Sequence, residues 1–262
     1  MARHPYRRLR TAQPALPEVG ISEEGGIRSL HLGSSTIQSS MNLKHPAELV
    51  LSYSRAMMAW LLFAEEPAHI TQIGLGGGSF ARWINKYLPH TRQTAVEINP
   101  QVISVARSLF ELPPEGGSFE IVEADGAQYI KTLYGGTDVI LTDGFDSEQI
   151  IDDLVGEEFF CDCRRALTQS GIFAANWWGG DRRYRKFVET LSAVFEGRVL
   201  AVPAESHGNV AVLAFCQAPR GQRFDILKKR ADELGRRYGL DFHRMLSDIK
   251  ANNPNNGKTL FL

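Results

Sequence analysis

The fold of this chain is constrained most by an alternation of short β-rich runs with amphipathic stretches, which begins near residue 68. Seven apolar runs have strand character: His69 to Leu75, Gln93 to Ile98, Phe119 to Val122, Asp138 to Thr142, Gly171 to Trp177, Arg198 to Pro203 and Asn209 to Cys216. Helical spacing fills residues 80–87, 100–110, 127–133 and 157–167 between the first five runs, and residues 182–195 after them. Strands joined by helical crossovers pair in parallel, so the pattern predicts an α/β fold on a seven-stranded, mostly parallel sheet.

The last two runs are joined only by Ala204 to Gly208. This connection is too short for a helix, so we expect the last strand to run antiparallel. That reversal is typical of Rossmann-like nucleoside-dependent transferases, whereas a dinucleotide-binding dehydrogenase continues with further parallel βαβ units.

Shorter segments flank the predicted sheet. Residues 25–40 have the pattern of a β-hairpin, and residues 47–63 that of one helix that Pro46 can start. A second flanking helix is predicted over Phe224–Tyr238, followed by a polar, Asn-rich end. We therefore divide the chain into an N-terminal tail, hairpin and helix (residues 1–66), a nucleoside-binding catalytic domain (67–218) and a C-terminal helical extension (219–262).

Charge and composition argue against several classes of protein. The 29 basic and 30 acidic side chains give a net charge of -1, so there is no general attraction for nucleic acid or an anionic membrane. The longest apolar stretch, Ala56 to Ala64, is far below the roughly 20 residues of a membrane-spanning helix. The N-terminus lacks the pattern of a signal peptide, and the three cysteines suit neither a disulfide framework nor a metal site. We expect a cytoplasmic protein that binds no metal.

A glycine-rich turn and a downstream acid point to a nucleoside. Gly76, Gly77 and Gly78 lie between the first strand and the first helix, where glycines let the backbone approach a ligand. Glu97 ends the second strand about 20 residues later, at the place where a carboxylate can accept both hydroxyls of a ribose. Alone, the glycine turn can serve packing only; together, the two motifs favour a ribose site.

Two further acids end the next strands at the same predicted edge of the sheet. Asp125 precedes Gly126 and can recognise an adenine amino group, or simply cap the following helix. Asp143 follows three apolar residues and Thr142 and would emerge into the predicted crevice, which a surface turn explains poorly. At the end of the fifth strand, Trp177 can receive a cationic amine or can be ordinary core packing.

These pieces, in this order, closely resemble the spermidine synthase (polyamine aminopropyltransferase) family, whose catalytic domain has the class I S-adenosylmethionine-dependent methyltransferase fold. The resemblance covers about residues 27–217. It is carried by the segments 32–38, 76–78, 96–99, 125–127 and 138–143.

The resemblance implies a role for individual residues. Gln38 would contact the nucleoside from the hairpin, Glu97 with Ile98 the ribose side, and Asp125 with Gly126 the adenine. Asp143 would be the catalytic acid residue that orients the attacking amine or takes its proton, and it would also border the donor. Asp146 would bind the amine or polyamine substrate, and the protein would be a homodimer.

Departures from the family pattern leave the donor open. Ser79 follows the three glycines where the family usually has an aspartate, so a charge that favours decarboxylated S-adenosylmethionine over S-adenosylmethionine is missing. The tyrosine expected before the first long helix is replaced near Pro46. Aminopropyl transfer to a polyamine such as putrescine is the favoured reaction; methyl transfer to an unknown acceptor, or nucleoside binding without catalysis, are the alternatives.

Overall fold

Three antiparallel strands begin the part of the chain described by the computed structural model, which comprises residues 16–64, 66–144 and 151–262. They are β1 (Val19–Glu24), β2 (Ile27–Leu32) and β3 (Ile37–Asn42), hydrogen-bonded in that order. The hairpin predicted from the sequence is confirmed as β2 and β3. The sequence analysis missed β1, whose residues after Val19 are all exposed.

The first helix is much shorter than predicted. Helix α1 spans Ser52–Met57 and continues as a 3-10 helix over Met58–Leu62, so the expected start near Pro46 is wrong. The guanidinium of Arg55 donates to the carbonyl oxygens of Leu49 (2.9 Å) and Val50 (2.7 Å). These hydrogen bonds satisfy carbonyls that a longer helix would have used internally.

The seven predicted strands of the main sheet are present. They are β4 (His69–Ile73), β5 (Arg92–Glu97), β6 (Phe119–Glu123), β7 (Thr137–Thr142), β8 (Leu167–Trp178), β9 (Val199–Pro203) and β10 (Asn209–Phe215). Their spatial order is β6-β5-β4-β7-β8-β10-β9. The first five pair in parallel, and β10 pairs antiparallel with both β8 and β9, which confirms the predicted reversal.

Helices connect these strands and cover both faces of the sheet. They are α2 (Ser79–Tyr87), α3 (Pro100–Leu109), α4 (Gly126–Lys131), α5 (Glu157–Ala166), α6 (Tyr184–Val194), α7 (Phe224–Tyr238) and α8 (Phe242–Asn252). Side chains at the start of several helices accept hydrogen bonds from the first turn, as Asn99 does for α3 and Asp125 for α4. These caps start helices directly at the ends of β5 and β6, which brings the polar side chains to the sheet edge.

The apolar core lies in two layers. One layer packs the 3-10 helix, α2, α7 and α8 on one face of the sheet, and the other packs α4, α5 and α6 on the opposite face. The sequence analysis missed α8, although Phe242, Met245, Leu246 and Ile249 are buried at helical spacing. The predicted division into three domains stays a prediction, but α7 and α8 share the core of the main sheet.

Within the described residues, the helices are too short or too polar to cross a lipid bilayer.

Candidate active site

A cavity of about 440 Å³ opens at the carboxyl ends of β4, β5, β6 and β7. Parallel strands place their carboxyl ends at one edge, where open α/β sheets bind ligands. Seven of the residues predicted from the sequence line this cavity: Gln38, Gly76, Glu97, Ile98, Asp125, Gly126 and Asp143. They come from β3, from three strand ends and from the glycine turn, so the fold brings together segments that lie about 100 residues apart.

The glycine turn serves two separate purposes. Gly74 has a φ of +90°, and a Cβ there would lie 2.3 Å from the backbone carbonyl oxygen of Asp143. Only glycine permits this close approach, which joins the ends of β4 and β7. Gly76 lines the cavity, but a Cβ on Gly77 would meet the ring of Phe110 at 2.7 Å, and one on Gly78 would meet Leu112 at 2.1 Å.

Gly77 and Gly78 are buried and do not line the cavity described here. Close packing against Phe110 and Leu112, which follow α3, explains why both positions are glycine. A ligand contact at these two positions, as expected from the sequence, therefore has no support from the cavity.

Glu97 is held in a fixed orientation at the end of β5. Its two carboxylate oxygens accept hydrogen bonds from the backbone N–H groups of Leu75 (3.0 Å) and Asn99 (2.9 Å). Burial raises the pKa of this carboxyl, while hydrogen bonds from the surrounding backbone N–H groups oppose the rise. A carboxylate fixed in this way can present both oxygens to a vicinal diol such as that of a ribose.

Asp125 caps a helix at the edge of the cavity, and its contact with an adenine stays a prediction. Its carboxylate accepts a hydrogen bond from the backbone N–H of Gln128 (2.9 Å) and caps α4, and its side chain also borders the cavity. Ile98 follows Glu97 and is 43% exposed at the cavity, where it offers an apolar surface to a flat ring. A Cβ on Gly126 would lie 2.3 Å from Ile73, so glycine is required there for close packing beside the cavity.

Asp143 is deep in the cavity, with two side-chain donors beside it. Asn176 of β8 donates to its Oδ1 at 3.0 Å, and Asn176 in turn accepts from Asn209 of β10 at 3.0 Å. The hydroxyl of Tyr53 also faces this carboxylate, and its single O–H can donate either to Asp143 or to the backbone carbonyl oxygen of Gln38. Burial raises the pKa of Asp143, and the hydrogen bonds from Asn176 and Tyr53 oppose that rise. Asp143 therefore borders the cavity and binds a proton more tightly than an exposed aspartate does.

Tyr53 is a cavity residue that the sequence analysis missed. It lies in the first turn of α1, and its hydroxyl also lies 3.1 Å from the backbone carbonyl oxygen of Gln38, to which it can donate. Burial and the nearby charge of Asp143 raise the pKa of the phenol well above its usual value, so it is a neutral donor at physiological pH. From the sequence, the tyrosine expected before the first long helix is replaced near Pro46. The helix begins at Ser52 instead, and Tyr53, in its first turn, borders the cavity.

Ser79 lies at the start of α2, on the wall of the cavity. Its hydroxyl is 3.3 Å from the hydroxyl of Ser39 and 3.3 Å from the carbonyl oxygen of Ser40. Gln72, on the same wall, donates to the carbonyl oxygen of Gly74 at 2.5 Å and accepts from Gln93 at 3.1 Å. Both side chains are uncharged: Ser79 lies within hydrogen-bond distance of β3, and Gln72 is hydrogen-bonded to β5.

Two predicted substrate residues have different outcomes. Trp177 is 1% exposed and packs against Phe160, Tyr184 and Phe187 in the core, so the structure contradicts its placement in a substrate pocket. Side chains alternate along a strand, and at this position of β8 the ring faces the core layer of α5 and α6. Asp146 lies outside the described residues.

No group of three or more His, Cys, Asp or Glu side chains is arranged to hold a metal ion in the described part of the chain.

Comparisons with known proteins agree with this geometry. The family model described as "Spermine/spermidine synthase domain" matches residues 50–181. A polyamine aminopropyltransferase of Neisseria meningitidis serogroup A is 72% identical over 263 aligned residues, which cover 100% of both chains.

Solved structures share the fold at low sequence identity. A probable spermidine synthase from Corynebacterium glutamicum has a TM-score of 0.72 and 18% identity, covering 96% of this chain and 100% of its own. A spermidine synthase in complex with the transition-state analogue AdoDATO has a TM-score of 0.69 and 21% identity, covering 91% and 83%. Together with the domain match and the full-length relative, these findings establish that the chain belongs to the spermine/spermidine synthase family.

Proposed function

We propose that this chain transfers the aminopropyl group of decarboxylated S-adenosylmethionine to an amine nitrogen of a polyamine such as putrescine. The observation that carries the proposal is one cavity that holds Glu97 and Asp125 on the nucleoside side and Asp143 on its wall. The full-length relative from Neisseria meningitidis is named a polyamine aminopropyltransferase, which supports the same reaction.

In this reaction the protein mainly has to align the donor with the attacking amine. The unprotonated amine attacks the aminopropyl carbon bonded to the sulfonium, a C–N bond forms, and the electron pair of the broken C–S bond goes to sulfur. The products are methylthioadenosine and the extended polyamine, after the new ammonium has released one proton. A sulfonium is already an activated leaving group, so positioning and proton removal are the contributions that matter.

Asp143 suits the proton-accepting role. Asn176 and Tyr53 orient its carboxylate, and burial raises its pKa toward the range in which it can take a proton from an ammonium or hold the amine by hydrogen bonding. A carboxylate has about four acceptor positions, so beside the bond from Asn176 the oxygen atoms of Asp143 can still accept from the N–H groups of the substrate.

Glu97 is proposed to bind the ribose of the donor. Glu97→Ala removes an acceptor of two hydroxyl groups and should weaken binding of methylthioadenosine by about 1.5–3 kcal/mol, the usual effect of hydrogen bonds to a charged group. Isothermal titration calorimetry measures this loss. Glu189→Ala, at an exposed position on α6, is the control and should leave the affinity unchanged.

The reaction itself is tested by product analysis. The purified protein is incubated with putrescine and either donor, and the products are identified by mass spectrometry. Methylthioadenosine with spermidine supports the proposal. S-adenosylhomocysteine with a methylated product identifies a methyltransferase instead, an outcome that the neutral Ser79 leaves chemically open. Nucleoside binding without either product identifies an inactive homologue.

The assembly and the location are part of this proposal. We infer a cytoplasmic homodimer, and the solvent-exposed edge strand β1 is one surface through which two copies can pair. Light scattering after size-exclusion chromatography measures the mass in solution, and a value of about one chain would overturn the dimer.

A further inference from the structure

A second cavity, of about 400 Å³, lies behind the glycine turn. Its walls are the segment 44–47 after β3, the middle of α2 and the segment 111–114 after α3. None of its lining residues borders the nucleoside cavity, so the two are separate within the described residues.

The wall of this cavity contains a buried positive charge. Arg82 is only 4% exposed, and its guanidinium donates to three neutral carbonyl oxygens, those of Pro46 (2.6 Å), Phe110 (2.7 Å) and Gly77. Its Nη2 atom has no hydrogen-bond partner, and no carboxylate makes an ion pair with Arg82, among the residues that the structure describes. Burial lowers the pKa of Arg82 to about 10, and the negative charge of Glu111, which makes no ion pair with it within 4 Å, opposes this shift.

The rim of the cavity adds positive charge. Lys44 and Lys86 line it as exposed side chains, and His45 lies beside them. Glu111 is the single acid on the described wall, in a left-handed backbone conformation with a φ of 45°. Among the described lining residues, the three basic side chains of Arg82, Lys44 and Lys86 face one acid, and Nη2 of Arg82 has no hydrogen-bond partner. A bound anion would compensate this excess of positive charge.

We propose that this cavity is a binding site for a phosphate group, as inorganic phosphate or as part of a phosphorylated metabolite. Arg82 supplies the buried countercharge, and Lys44 and Lys86 bind the anion from the rim. Guanidinium and ammonium groups together form short, charge-assisted hydrogen bonds to phosphate oxygens. Glu111 repels the anion and has to turn away for it to bind.

Isothermal titration calorimetry of the full chain with inorganic phosphate, at constant ionic strength, tests the proposal. We expect saturable binding in the millimolar range or tighter. The double variant Lys44→Ala/Lys86→Ala should bind about tenfold more weakly, and Glu111→Gln should bind several-fold more tightly. Lys228→Ala, an exposed lysine on α7, is the control and should bind like the unmodified chain.

Weaker phosphate binding by Lys44→Ala/Lys86→Ala, tighter binding by Glu111→Gln and unchanged binding by Lys228→Ala would distinguish a specific site from a general effect of net charge. The absence of saturable binding, or equal affinity in all variants, would overturn the proposal. Displacement of phosphate by methylthioadenosine would also overturn it, because the anion would then occupy the nucleoside cavity. The readout is binding of phosphate, so it does not depend on whether the chain transfers an aminopropyl group.

Discussion

At the scale of single residues, the proposed function depends most on Asp143, a cavity carboxyl whose pKa is raised by burial. Asp143→Asn keeps the shape and the acceptor oxygen for Asn176, but it removes the charge. If the carboxylate is the base, kcat should fall by about 10²–10⁴. Affinity for methylthioadenosine should stay within a few-fold of the unmodified chain. Steady-state kinetics and calorimetry on the same preparation check both, and an unchanged kcat would contradict the role.

The same substitution has a second consequence, on stability. Burial raises the pKa of Asp143 in the folded chain, so the charged carboxylate destabilises the fold at every pH above that pKa. Its protonated form is the favourable one, and that advantage is lost as the pH rises through the folded-state pKa. Asp143→Asn should therefore raise the free energy of unfolding at neutral pH by about 1 kcal/mol, a typical gain at an active-site position.

If Asp143 is the base, Tyr53 should influence the pH dependence of the reaction. Its hydrogen bond lowers the pKa of that carboxyl, so Tyr53→Phe should raise it further. The acid limb of the profile of kcat/KM against pH should move to higher pH, and kcat at neutral pH should fall roughly tenfold. Tyr134→Phe is the matched control, since Tyr134 is 84% exposed. A profile that Tyr53→Phe leaves in place would show that Asp143 does not titrate in the reaction.

Residue-level reasoning found the acids because each ends an apolar strand, a local pattern that the sequence displays. It could not find Tyr53, because the contact with Asp143 joins residues 90 positions apart and depends on where α1 begins. The placement of Trp177 was wrong for the related reason that a strand end offers two faces, and only the packing of Phe160 and Phe187 decides between them.

At the scale of elements, the close approach of the chain after β4 to the chain after β7 depends on Gly74. Gly74→Ala forces a Cβ against the carbonyl oxygen of Asp143 and strains a φ of +90°. It should lower the free energy of unfolding by about 3 kcal/mol and reduce activity, because it displaces the backbone of Asp143. Gly25→Ala is the control: its φ is +58°, but a Cβ there meets nothing within 4 Å, so the cost should be about 1 kcal/mol.

Chemical denaturation measures both variants. Equal losses for Gly74→Ala and Gly25→Ala would show that conformational strain alone, and no close approach, requires glycine at position 74.

Most elements were predictable because parallel strands and their crossover helices carry strong local patterns. The strand β1 was missed because five of its six residues are exposed and its pairing with β2, rather than a hydrophobic face, forms it. The helix between residues 47 and 63 was overextended because Arg55 binds the carbonyls of the preceding segment, a contact that periodicity does not reveal. By contrast, α8 has a clear apolar spacing and an N-cap at Asp241, so its signal was present in the sequence and was not used.

At the scale of the whole molecule, the site depends on two parts of the chain that the sequence analysis treated as flanking. The N-terminal sheet supplies Gln38 and Ser39 to the cavity wall. On the other side, α7 and α8 share a core with the 3-10 helix and with β10, through Leu227, Leu234 and Ile249. The predicted extension over residues 219–262 therefore contributes to the same core as β7, the strand that leads to Asp143.

This shared core makes a prediction about cooperativity. Leu227 is 1% exposed, and Leu227→Ala should lower the free energy of unfolding by about 2–4 kcal/mol, as buried leucine truncations do. Its neighbour Ile226 is 48% exposed, so Ile226→Ala should change stability by less than about 0.5 kcal/mol. If α7 unfolds together with the main sheet, thermal unfolding of Leu227→Ala should show a single transition at a lower temperature than that of the unmodified chain. Methylthioadenosine should then raise the temperature of that transition in the unmodified chain and in both variants, because it binds only the folded state. Two separate transitions, with only one of them responding to the nucleoside, would show that the C-terminal helices form an independent unit.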